Sequence, residues 1–191
     1  SWGPLEPFDD SFPELLKQNG VYSHLITDHH HYFADGGATY HQRFSSWELV
    51  RGQAIDRWKA EVDPNLDQLK AAHHPVQHHR TNYMINRQYI KNEEDYCAPQ
   101  LFKMADDFLH KNYQADSWLL QLECFDPHEP FSAPARFRER YPTGYTGPIL
   151  DWPRYKRHEE TALEVQELRA NYAALLNMCD EYFGRLLDYL D

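Results

Sequence analysis

An apolar run from Ser117 to Cys124 leads directly into Phe125-Asp126-Pro127-His128-Glu129-Pro130-Phe131, and this junction constrains the fold more than any other stretch. The run reads as a buried strand. Open α/β sheets place ligand-contacting groups at the carboxyl ends of such strands. The two prolines set their own φ angles and restrict the residues before them, so the His128 imidazole is aimed rather than loosely tethered. The competing reading is a rigid turn whose histidine only meets solvent.

The rest of the chain supplies the partners an α/β sheet needs. Phe12 to Asn19 reads as a short helix, with Ser11 as N-cap and Gly20 just past its end. Val21 to Thr27 then reads as a strand running into Asp28-His29-His30-His31-Tyr32, and Asp35-Gly36-Gly37 marks a turn. Thr39 to Trp58 is aromatic and charged without clear periodicity, an ordered excursion. Residues Asn65 to Lys91 are polar and dotted with histidines, and read mostly as loop with about one helical turn. Glu93 to Lys111 shows a helical pattern behind Asn92, giving strand, helix, strand in order. Pro134 to Tyr141 reads as one or two turns of helix, and Thr143 to Pro153 as loop. From Leu168 to Leu190 one apolar face persists along a long helix that starts near Thr161. The Val21 and Ser117 strands are expected to be neighbours in one mostly parallel sheet with that helix on a face.

With 191 residues, 41% of them hydrophobic, the chain suits one packed domain. A formal charge of -11 disfavours a general nucleic-acid binder, because phosphate contacts need clustered Lys and Arg. It also means that any anion site must work by local geometry. No apolar run approaches membrane-spanning length. Cys97, Cys124 and Cys179 are widely spaced, without a CxxC pattern, and read as free thiols; this favours a reducing, cytoplasmic location over a periplasmic one.

Two histidine-bearing strand ends carry the candidate chemistry. If strand geometry continued past Thr27, Asp28 and His30 would face one way and His29 and His31 the other. Consecutive residues on an extended chain cannot all reach one ion, so a metal site built from this run alone is disfavoured. His73-His74 and His78-His79 read as solvated loop residues. Arg51 and Gln53 can offer fork-like donors to an oxyanion, although an ion pair of Arg51 with Glu48 or Asp56 fits equally well.

Several separated stretches together resemble the sulfatases of the alkaline phosphatase superfamily. They are ITDHHHYF, GGATYH and FSSWELVRGQ between Val21 and Gln53, HHRTNYMINRQYI at His78 to Ile90, FDPHEPF, and the closing NYAALLNMCDEYFGRLLDYL. The resemblance implies part of an alkaline-phosphatase-like three-layer sandwich, with a mostly parallel sheet flanked by helices. It implies that His128 hydrogen-bonds the sulfate group. It places Asp28-His29-His30 where many members have Lys-x-His, so that His30 assists a formylglycine nucleophile, with His31 selected instead if the register slips by one. Asp28, His31, Arg51 and Gln53 then line the substrate side.

The resemblance further implies an interior segment, cut at both ends. The paired metal-binding aspartates, the Cys- or Ser-x-Pro-x-Arg motif that yields formylglycine, and the later metal ligands are all read as lying outside the chain. A divalent metal, usually calcium, would be held by those outside residues. The partners implied are a small-molecule or carbohydrate sulfate ester and the remaining parts of the same polypeptide, with no nucleic acid and no membrane. The chain alone is then expected to be inactive. Rival readings are a phosphodiesterase or phosphonate monoester hydrolase on the same scaffold, and a non-catalytic, histidine-rich metal-binding or interaction module.

Overall fold

The computed structural model describes residues 3–37, 39–157 and 159–191. Helix α1 (Phe12–Gln18) ends at Asn19, and Gly20 follows at φ +78°, the left-handed geometry that glycine adopts without steric cost. Strand β1 (Tyr22–Thr27) comes next, then β2 (Ser46–Leu49), α2 (Leu66–Ala71), α3 (Thr81–Arg87), α4 (Cys97–Asn112), β3 (Trp118–Glu123), α5 (Ala135–Arg138) and α6 (Ala162–Leu190).

The strands form one parallel sheet in the order β2-β1-β3. Thr27 stands opposite Leu49 on one side and Glu123 on the other, so the three carboxyl ends share one edge. The expected neighbours, β1 and β3, are directly paired. From Ser23 to Thr27, β1 is buried at every position, as a central strand covered on both faces should be. Helix α4 packs on β1 and β3, and α6 packs on α4. Ile26, Leu101, Phe102, Ala105, Leu175 and Met178 meet in the resulting core. Burying each of the larger side chains contributes about 1.5–3 kcal/mol. A capping box between Thr161 and Glu164 starts α6 one residue after the point expected from the sequence.

Two stretches differ from expectation. The aromatic excursion contains β2, an edge strand whose pattern is half-exposed throughout and which gains its regularity by pairing with β1. The stretch read as loop holds both α2 and α3. In α3 the consecutive residues Tyr83, Met84, Ile85 and Asn86 are all buried, so no helical stripe marks it. Among the described residues, no helix is long and apolar enough to cross a membrane.

Candidate functional site

The parallel order puts the segments that follow β1, β2 and β3 side by side at one sheet edge. Asp28, the first residue past β1, is fully buried. Its Oδ1 accepts the N–H of Phe125 at 2.7 Å, joining the end of β1 to the end of β3. Its Oδ2 is buried without a hydrogen bond. Burial, and then the charge of Asp126, push the Asp28 carboxyl well above the usual carboxylate range. Burial likewise raises Asp126, against the opposing hydrogen bond from Gln53 and the charge of His128.

Strand geometry stops at Thr27, and His30–Phe33 form a 3-10 turn, so the expected alternation of the three histidines does not persist. A 3-10 turn rotates each residue by about a third of a circle, which places neighbours on different sides instead of on two faces. His29 turns toward β3, where its Nδ1 lies 3.2 Å from Glu123 Oε1. The Tyr32 hydroxyl donates to the same oxygen at 2.9 Å. Burial raises the Glu123 carboxyl, but the hydrogen bonds from His29, Tyr32 and Thr27 outweigh it and hold the group below its ordinary value.

His30, His31, Phe125 and His128 form a run of ring contacts across the two strand ends. The His30 and His31 rings stack at 4.1 Å, His31 stacks on Phe125 at 6.2 Å, and Phe125 meets His128 at 4.3 Å. Burial, and then the neighbouring His31, lower His30 to a pKa of about 4. Burial, His29 and His128 lower His31 as well. Both rings are therefore neutral near pH 7, each with a lone pair that can take up a proton although burial weakens them as bases. The Asp56 carboxylate acts to raise His30 and the Arg51 guanidinium to lower it, whereas His31 feels His128. His128 Nδ1 lies 2.7 Å from the carbonyl oxygen of Glu129. A carbonyl only accepts, so Nδ1 carries the proton and Nε2 is the end presented to a ligand. The side chain is 46% exposed.

Arg51 and Gln53 are committed elsewhere. Arg51 grips Asp56 through Nε at 2.8 Å and Nη2 at 3.0 Å, the structural alternative to an oxyanion contact. Asp56 also accepts the N–H of Gly52 at 2.8 Å. Gly52 sits at φ +112°, and an added Cβ would come within 2.9 Å of the Trp58 ring. This fixes the loop after β2. Gln53 is buried and donates through Nε2 to Asp126, tying that loop to the end of β3. The small cavity beside Gln53 and Asp126 measures about 20 Å³, room for roughly one water. A groove of about 770 Å³ runs along α4 and α6 past Glu93 and Tyr182, away from the histidines.

Contrary to the expectation that a Ser-x-Pro-x-Arg motif lies outside the chain, Ser132-Ala133-Pro134-Ala135-Arg136 spells that pattern. Its geometry is structural: Ser132 Oγ accepts from Arg87, and Arg136 pairs with Glu93 and Glu181 at the start of α5. Glu123 and Asp126 carry no role in the sequence reading, whereas Asp56 is one of the two ion-pair partners expected for Arg51 and is the one found. Asp126 is signalled by its place between the strand and Pro127; Glu123 becomes informative only through its tertiary partners.

No curated protein matches the chain. The family model described as Sulfatase matches residues 3–191. With this parallel sheet flanked by helices, the match implies an alkaline-phosphatase-like fold and a hydrolase-type enzyme family. The chain belongs to the sulfatase family.

Proposed function

We propose that the chain is an interior segment of a sulfuric ester hydrolase acting on a small-molecule or carbohydrate sulfate ester. His128, with a proton on both ring nitrogens when the anion is bound, donates Nε2–H to the sulfuryl oxygens, and His30, with His31 stacked against it, receives a proton at the nucleophile. The observation that carries this reading is the ring run from His30 to His128 across two adjacent strand ends, with the outward nitrogen of His128 set by its bond to Glu129. Sulfate ester cleavage develops charge on the equatorial and leaving oxygens, and fixed donors stabilise it. A neutral imidazole can move the proton.

Members of the family generally use a divalent metal, and calcium requires six to eight hard oxygen ligands. Among the described residues, the group whose ligand atoms converge is Cys124, Asp126 and Cys179, with one carboxylate and two thiols. That set does not fit calcium, so no step here runs through a metal. The reading assigns the hard cation and the formylglycine nucleophile to residues beyond this segment.

The test is turnover of a nitrophenyl sulfate by the polypeptide that carries those residues. His128→Ala should lower it about a hundredfold or more, the scale of a lost acid–base or charge-stabilising group. Undiminished turnover would return His128 to the status of a turn residue.

A further inference from the structure

Cys124, Asp126 and Cys179 come from the end of β3, the loop after it and the middle of α6. One ligand atom from each lies within 4.8 Å of the other two. Both cysteines are free thiols, and all three residues keep part of their surface exposed, with the Asp126 carboxyl itself turned inward. Asp126 is held in place by the Gln53 amide on Oδ1. Beside the group lies the Asp28 carboxyl, whose buried Oδ2 has no hydrogen-bond partner. Buried acidic groups gathered in this way, with amides as their hydrogen-bond donors, suit a cation.

The donor chemistry selects the ion. Two sulfurs and one carboxylate oxygen match soft or borderline cations and mismatch calcium and magnesium. Tetrahedral zinc holds sulfur at about 2.3 Å and oxygen at about 2.0–2.2 Å, so its donor atoms sit about 3.5 Å apart. The side chains need close by only about an ångström to reach that spacing.

We propose that Cys124, Asp126 and Cys179 form a binding site for a soft divalent cation, zinc foremost, with its fourth position open. Binding replaces the two thiol protons: one Zn²⁺ enters, two S–H bonds become two Zn–S bonds, and two protons leave to solvent. The ion would pin α6 to the end of β3, behind the loop that presents His128. The proposal does not depend on the sulfatase reading.

The test uses the full chain, reduced and kept free of oxygen, titrated with Co²⁺. A thiolate-to-cobalt charge-transfer band with tetrahedral d–d bands should appear, be displaced by Zn²⁺, and survive excess Ca²⁺. Cys179→Ser and Asp126→Asn should each weaken binding by about a hundredfold or more, beyond the 10–100-fold typical of outer-shell partners. His30→Ala should leave the band intact, which separates this site from a histidine site. Without any variant, Zn²⁺ should slow alkylation of Cys124 and Cys179, read by peptide mass spectrometry. Absence of the charge-transfer band, its persistence in Cys179→Ser, or equal alkylation with and without zinc would overturn the proposal.

Discussion

Asp151 and Asp28 are both almost completely buried, at 2% and 0% exposure, and each keeps one oxygen without a hydrogen-bond partner. Their surroundings differ in charge. Asp151 lies 3.3 Å from the Arg87 guanidinium, accepts the Tyr83 hydroxyl at 2.5 Å, and donates its own N–H to Gln77 Oε1 at 2.9 Å. Asp28 receives one backbone N–H, and the charge beside it is a second buried carboxylate, Asp126. The first arrangement fastens α3 to the Thr143–Pro153 loop and draws its compensating positive charge from Arg87. The second stands at the strand ends where ligands bind in open α/β sheets, and it is short of positive charge. A buried acid that is compensated belongs to the scaffold; one left uncompensated marks a place where something else binds.

The sharpest way to break this contrast is to remove the cation from the compensated centre. Arg87→Met should cost about 3–5 kcal/mol in urea denaturation, because it strands the Asp151 charge inside the protein. A loss below about 1 kcal/mol would mean that Asp151 does not depend on Arg87. Tyr83→Phe should cost less, about 1–3 kcal/mol, the price of one buried carboxylate losing a donor.

At the strand ends the informative variable is pH. His30 has an ordinary pKa of 6.5 and falls to about 4 in the folded protein. Between those values the unfolded chain binds a proton that the folded chain refuses, so stability drops as pH falls through this window. His30→Gln should narrow the difference between urea midpoints measured near pH 7 and near pH 4.5, the other lowered histidines keeping part of the slope. An unchanged difference would place His30 in solvent. The smallest effect belongs to Asp28→Asn, which keeps the shape of a carboxyl whose charged form burial already disfavours. Stability near pH 7 should change by less than about 1 kcal/mol, and a loss as large as that of Arg87→Met would reveal a partner for Asp28.

Local pattern made much of this molecule legible before any coordinates. Gly20 and the apolar run to Thr27 located α1 and β1, the run ending at Cys124 located β3, and the single apolar face located α6. It missed β2 because a four-residue edge strand, half-exposed along its length, carries no alternation to read. It missed α3 because a helix buried on consecutive residues shows no stripe. The histidines were placed at the right edge of the sheet but with the wrong local geometry, since the 3-10 turn at His30 is not written in the identities of His29, His30 and His31.

Sequence alone therefore determined the strand–helix–strand order, the family, and the two histidine-bearing segments, because these depend on hydrophobic periodicity, proline and short motifs that act within a few residues. Tertiary structure alone decided that Arg51 serves Asp56, that Asp126 takes the Gln53 amide, that Arg87 and not a ligand neutralises Asp151, and that Cys124 meets Cys179. Those pairings join residues far apart in the chain, and which charged side chain finds which partner is settled by how the strands and helices pack, after local propensity has had its say.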